Sequence, residues 1–152
     1  MPQSNESDTT THSLTTQPAL AIDPGKAKCG IAVVDSGLHT LQRNVVPISD
    51  LETELFQWVE RFHPGVLLMG DGTGAQEFLK RIEAMNLPLS VQFVDEKHTS
   101  EEARARYVRE VPPAGINRLI PRLLRYPETP YDDFVAVILA ERWWNNHPLV
   151  DE

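Results

Sequence analysis

At 152 residues and 41% hydrophobic content the chain fits one folded domain with room for a core, and no second domain is expected. No apolar run approaches the roughly 20 residues a membrane helix needs, and the start Met-Pro-Gln-Ser-Asn-Glu-Ser-Asp lacks the basic opening and apolar middle of a signal peptide, so a soluble, cytoplasmic protein is expected. A net charge of −8, from 14 basic and 22 acidic residues, argues against a nonspecific nucleic-acid coat, yet residues 97–125 hold seven basic residues against three acids and leave one basic sector.

Residues 1–17 are rich in Ser, Thr, Gln and Asn and read as a disordered tail, with the domain over 18–147 and a short tail over 148–152. The apolar pattern then gives a strand from Ala19 to Asp23, a second from about Cys29 to Asp35 and a third from about Thr40 to Pro47. The short link Ser36-Gly37-Leu38-His39 joins the last two as a hairpin. The period changes at Ser49-Asp-Leu-Glu52, which reads as a capping box, and a helix is expected from about Asp50 to Phe62, stopped by His63-Pro64-Gly65.

Val66 to Gly70 is an all-apolar strand of the kind covered on both faces. Thr73 caps a second helix carrying Phe78, Leu79, Ile82 and Met85; Leu89 to Val94 reads as a fifth strand; Thr99 opens a third helix to about Val111. Five prolines between Pro112 and Pro130 predict a loop, and Thr129-Pro130 starts a largely apolar last helix from Tyr131 to about Asn145. The order predicts an α/β fold, a mixed five-stranded sheet of three antiparallel strands followed by parallel β-α units, with helices on its faces. The single cysteine, Cys29, lies in a strand context and reads as a small core residue without chemistry.

Acids close several of these apolar runs: Asp23 after strand one, Asp71 after strand four, Asp95-Glu96 after strand five, and Asp132-Asp133 in the first turn of the last helix. If strands one, four and five are parallel, their carboxyl ends share one edge of the sheet, where ligands collect. Carboxylates crowded there repel unless protonated or bridged, which points to a hard divalent cation, Mg²⁺ by default. Singly, each acid has an ordinary use: Asp71 lies in a polar turn, and Asp132 and Asp133 suit a helix dipole.

Three ordered motifs carry a resemblance. Ile22-Asp23-Pro24-Gly25 through Gly30, Val94-Asp95-Glu96-Lys97-His98-Thr99 through Arg104, and Tyr131-Asp132-Asp133-Phe-Val-Ala136 together resemble the YqgF (RuvX-like) nucleases of the ribonuclease H-like superfamily, relatives of the Holliday junction resolvase RuvC. The resemblance spans about Ala19 to Trp144. It implies the ribonuclease H-like fold, with Asp23, Glu96 and Asp132 as catalytic, metal-binding carboxylates for Mg²⁺ or Mn²⁺, two ions in all. Asp132 rather than Asp133 matches, because Ala136 follows four residues on. Lys97 stands where the family usually has Arg, His98 replaces an apolar residue, and Gly70-Asp-Gly-Thr-Gly74 replaces the commoner Gly-Leu-Pro.

Lys26, Lys28 and Lys97 are candidates for nucleic-acid phosphates, with solvated loop charges as the plain alternative. Arg118, Arg122 and Arg125 read as solvated or loosely phosphate-contacting surface, and His98 as a structural residue that could otherwise assist proton transfer. The function implied is hydrolysis of phosphodiesters in structured nucleic acid, most directly 5′ processing of pre-16S rRNA in ribosome biogenesis. A Holliday junction resolvase on branched DNA, a non-catalytic nucleic-acid-binding module and an actin-like or sugar-kinase ATPase are the alternatives, the last disfavoured because 152 residues hold one such domain rather than two. Oligomeric state is open.

Overall fold

The computed structural model describes residues 17–110 and 132–148. Within them lie five strands, β1 (Ala19–Asp23), β2 (Lys28–Val34), β3 (Thr40–Pro47), β4 (Val66–Gly70) and β5 (Val91–Val94), and four helices, α1 (Leu51–Phe62), α2 (Ala75–Ala84), α3 (Thr99–Glu110) and α4 (Asp132–Asn146). The sheet order is β3-β2-β1-β4-β5. β2 runs antiparallel to both β1 and β3, whereas β1, β4 and β5 are parallel. This is the mixed sheet that the sequence order and the ribonuclease H-like resemblance predict.

Alternation along the strands sorts the core into two halves, since neighbouring side chains of a strand point to opposite faces. On one face Ala19, Ala21, Ala32 and Leu68 pack against α3 and α4, through residues such as Tyr107, Phe134 and Leu139. On the other, Leu20, Ile22, Ile31 and Leu67 pack against α1 and α2, through Leu51, Leu55, Phe78 and Ile82. Burying each of these large side chains contributes about 1.5–3 kcal/mol. The small side chains of β1 and β2 let α4 lie close to the sheet, and the buried indole of Trp144 donates to the Val34 carbonyl at 2.9 Å. By the same alternation Asp23 belongs to the alanine face, the face that α4 covers.

Three local expectations are corrected. Ser49 and Glu52 form no capping box: a 3₁₀ turn over Ile48–Asp50 leads into α1, and the Leu51 N–H already donates to the Ile48 carbonyl. Thr73 does not cap α2, which starts behind Gly74 in the left-handed conformation at φ 82° without a side-chain cap. β5 begins at Val91 rather than Leu89, because the Leu89 N–H turns back to the Leu87 carbonyl at 2.8 Å, although its side chain still joins the second core. The tails at 1–16 and 149–152, the proline-rich loop with Arg118, Arg122 and Arg125, and Tyr131 lie outside the described residues.

Candidate functional site

β1 ends at Asp23 because Pro24 has no N–H with which to extend the ladder. The turn that follows requires Gly25, where a Cβ would overlap the Lys28 carbonyl. Across the hairpin Asp23 pairs with Gly30, and a Cβ at Gly30 would overlap the backbone carbonyl of Asp132. The first residue of α4 is therefore seated on β2 beside the end of β1, which brings Asp132 to Asp23.

The adjacent Asp133 faces a different partner. Its Oδ2 lies 2.8 Å from Nη1 of Arg43 on β3, its Oδ1 accepts the Phe134 N–H at 3.0 Å, and the Arg43 guanidinium stands 4.1 Å from the centre of the Phe134 ring. Asp133 is buried and ties α4 to the edge of the sheet.

Glu96 arrives from two residues beyond β5. The Thr99 N–H donates to the Glu96 carbonyl at 3.0 Å, closing a turn in which His98 adopts φ 64°, and the Thr99 hydroxyl donates to the same carbonyl at 2.6 Å. Arg142 of α4 donates to the Asp95 carbonyl at 2.8 Å and pairs with Glu102 of α3 at 2.6 Å. The Glu96 carboxylate occupies the space that a Cβ at Gly70 or Gly72 would fill. A cleft of about 140 Å³ results, lined by Asp23, Pro24, Gly70, Gly72, Thr73, Ala75, Glu96, Thr99 and Ser100.

Charge couples the three acids. The Asp23 carboxyl is pushed up to about 7, first by burial and then by the charges of Asp132 and Glu96. Asp132 is also raised, chiefly by burial and further by Asp133, with Lys28 opposing the shift. Lys26, Lys28 and Lys97 are all exposed, and of the three it is Lys28 whose charge acts on Asp132. Burial pushes the Cys29 thiol up to about 11, which keeps it protonated and unreactive. The exposed His98 ring lies 3.5 Å from Glu101.

Among the described residues no three His, Cys, Asp or Glu side chains stand close enough to hold one metal ion as they are placed. The donor chemistry nevertheless suits a hard cation: the acids are carboxylates, and one is raised to about 7 by burial and then by the charges of the other two. The sequence shows the three acids but not what holds them. Arg43 pairs with a residue 90 positions away and Arg142 with one 47 positions away, separations that leave no local pattern. Asp71, read as turn filler, accepts the Glu96 N–H at 3.2 Å.

Asp23 at the end of the central strand β1, Glu96 beyond the edge strand β5 and Asp132 at the start of α4 stand on a five-stranded mixed sheet, the arrangement that the resemblance to a ribonuclease H-like domain implies. No family model matches the chain. It is 36% identical over 105 residues, covering 58% of this chain and 73% of the relative, to a protein of Rippkaea orientalis named "Putative pre-16S rRNA nuclease". The chain belongs to the family of that protein, in keeping with the YqgF-type resemblance of its three motifs. Among solved structures it is similar to Thermus thermophilus RuvC, at 13% identity and a TM-score of 0.45 over 82% of this chain and 90% of that one. No helix among the described residues is long and apolar enough to cross a membrane.

Proposed function

We propose that the protein is a metal-dependent nuclease that hydrolyses phosphodiester bonds in structured nucleic acid, with the 5′ end of pre-16S rRNA as substrate. The observation that carries this reading is the elevation of the Asp23 carboxyl to about 7 by burial and by the charges of Asp132 and Glu96, three acids delivered by separate elements. The choice of substrate rests on the name of the Rippkaea relative.

Asp23, Glu96 and Asp132 would hold the divalent ions, and Mg²⁺ bound there would supply a Lewis acid and a water of lowered pKa. The chain's own groups do the rest. Lys28, whose charge already acts on Asp132, is the cation best set to meet a phosphate oxygen. Thr99 and Ser100 bring the amino end of α3 to the wall of the cleft, an end that favours an anion. Asp23 must shed its proton to serve as a ligand, so activity rises with pH toward and through about 7.

The test is incubation with Mg²⁺ and, separately, a precursor rRNA 5′ end, a four-way DNA junction and ATP. Cleavage of the RNA, abolished in Asp23→Asn, is the expected result. Cleavage of the junction alone moves the substrate to branched DNA; metal uptake with no cleavage makes the domain a binding module; ATP turnover without nucleic acid overturns the nuclease reading.

A further inference from the structure

The segment Gly70-Asp71-Gly72 does more than join β4 to α2. The Asp71 N–H donates to the Val94 carbonyl at 3.1 Å, adding one rung beyond the β4–β5 ladder, and Asp71 Oδ1 accepts the Glu96 N–H at 3.2 Å in return. Two hydrogen bonds of opposite sense thus stitch this turn to the segment that carries Glu96. On either side of Asp71 the absence of a Cβ at Gly70 and Gly72 leaves the room in which the Glu96 carboxylate lies.

We propose that Asp71 is a positioning residue for Glu96, fixing its backbone through the Oδ1 acceptor while Gly70 and Gly72 form the seat for its carboxylate. Leucine, which the resembled motif has at this point, offers no acceptor, so this chain holds Glu96 by a bond that a leucine cannot make. Residues that orient a metal ligand from behind typically affect affinity by about 10–100-fold when lost. Asp71 is exposed and makes no part of either core, so its replacement leaves the fold intact.

This inference rests on the reading of Glu96 as one of the acids of the site, and its test separates the two. In the full chain, Asp71→Ala and Asp71→Asn are compared with wild type for hydrogen exchange at the Glu96 amide, followed by NMR, and for Mn²⁺ affinity by calorimetry. Asp71→Ala is expected to speed exchange at Glu96 and to weaken Mn²⁺ binding about tenfold, with the melting temperature unchanged. Asp71→Asn keeps an acceptor oxygen and restores both. Wild-type exchange at Glu96 in Asp71→Ala would overturn the proposal, as would Asp71→Asn losing Mn²⁺ as fully as Asp71→Ala, since charge rather than the acceptor would then be at work. If exchange follows Asp71 while wild type takes up no Mn²⁺, the positioning role stands and the metal reading of Glu96 falls.

Discussion

The backbone carbonyl of Asp132 rests on Gly30 where a side chain of any size would overlap it, and Gly30 is the ladder partner of Asp23. One glycine therefore sets the approach of two acids that are far apart in sequence. Gly30→Ala is expected to push the start of α4 off the sheet, at a cost of about 1–3 kcal/mol for overpacking. Urea unfolding reads the stability loss, and Mn²⁺ titration is expected to show the site weakened as well. A variant with full stability and full metal uptake would mean that α4 is not seated there.

The elevated Asp23 carboxyl makes stability depend on pH in a definite direction. Its ordinary value of 3.8 applies to the unfolded chain and about 7 to the folded one, so between these values the folded protein binds more protons. Stability contributed by this group falls as pH rises from about 4 to about 7 and is level above that. Melting curves across that range test this, and Asp23→Asn is expected to flatten the profile and to be the more stable protein at pH 8. On the metal-dependent reading, Mg²⁺ would take the place of the proton, so it should raise the melting temperature more at pH 8 than at pH 5.5.

Adjacent aspartates should part company when neutralised. Asp132→Asn is expected to abolish cleavage with little loss of stability, because the unfavourable charge at that position is relieved. Arg43→Ala leaves the buried Asp133 carboxylate without its cation and should cost about 1–2 kcal/mol in urea unfolding while sparing much of the activity. The reverse pattern would exchange the roles of the two residues.

Gly72→Ala isolates the seat of Glu96. The three atoms nearest its added methyl all belong to the Glu96 carboxylate, the far end of a flexible side chain, so the fold should hold its melting temperature. Mn²⁺ affinity should drop, since Glu96 has to swing aside. Unchanged affinity in a folded Gly72→Ala protein would show that the carboxylate has another place to stand.

Much of the fold was legible because its signals are local and cooperative. The alternation of Ala with Leu and Ile along β1, the unbroken apolar run of β4 and the stop at His63, which ends α1 in the left-handed conformation, each name their element without outside help. Asp23 and Glu96 were legible for a related reason, since each follows an apolar run, whereas Asp132 opens a helix and was singled out by its place in the third motif. The caps at Ser49 and Thr73 were misread because the backbone was already turning when it reached them, through a 3₁₀ turn in one case and a left-handed glycine in the other. Arg43, Arg142 and Asp71 serve partners that only the folded chain brings near, so no spacing announces them.

The alanine stripe of β1 and β2 carries a consequence for how this protein tolerates change. Ala19, Ala21 and Ala32 are fully buried beneath α4 and carry no functional group. Enlarging one of them would lift the helix and move Asp132 relative to Asp23, so a saturation screen for activity should find sensitive sites at these plain residues as well as at the acids. Their smallness acts as a spacer gauge, and a lineage that drifts at the stripe would forfeit its chemistry while every acid stayed in place.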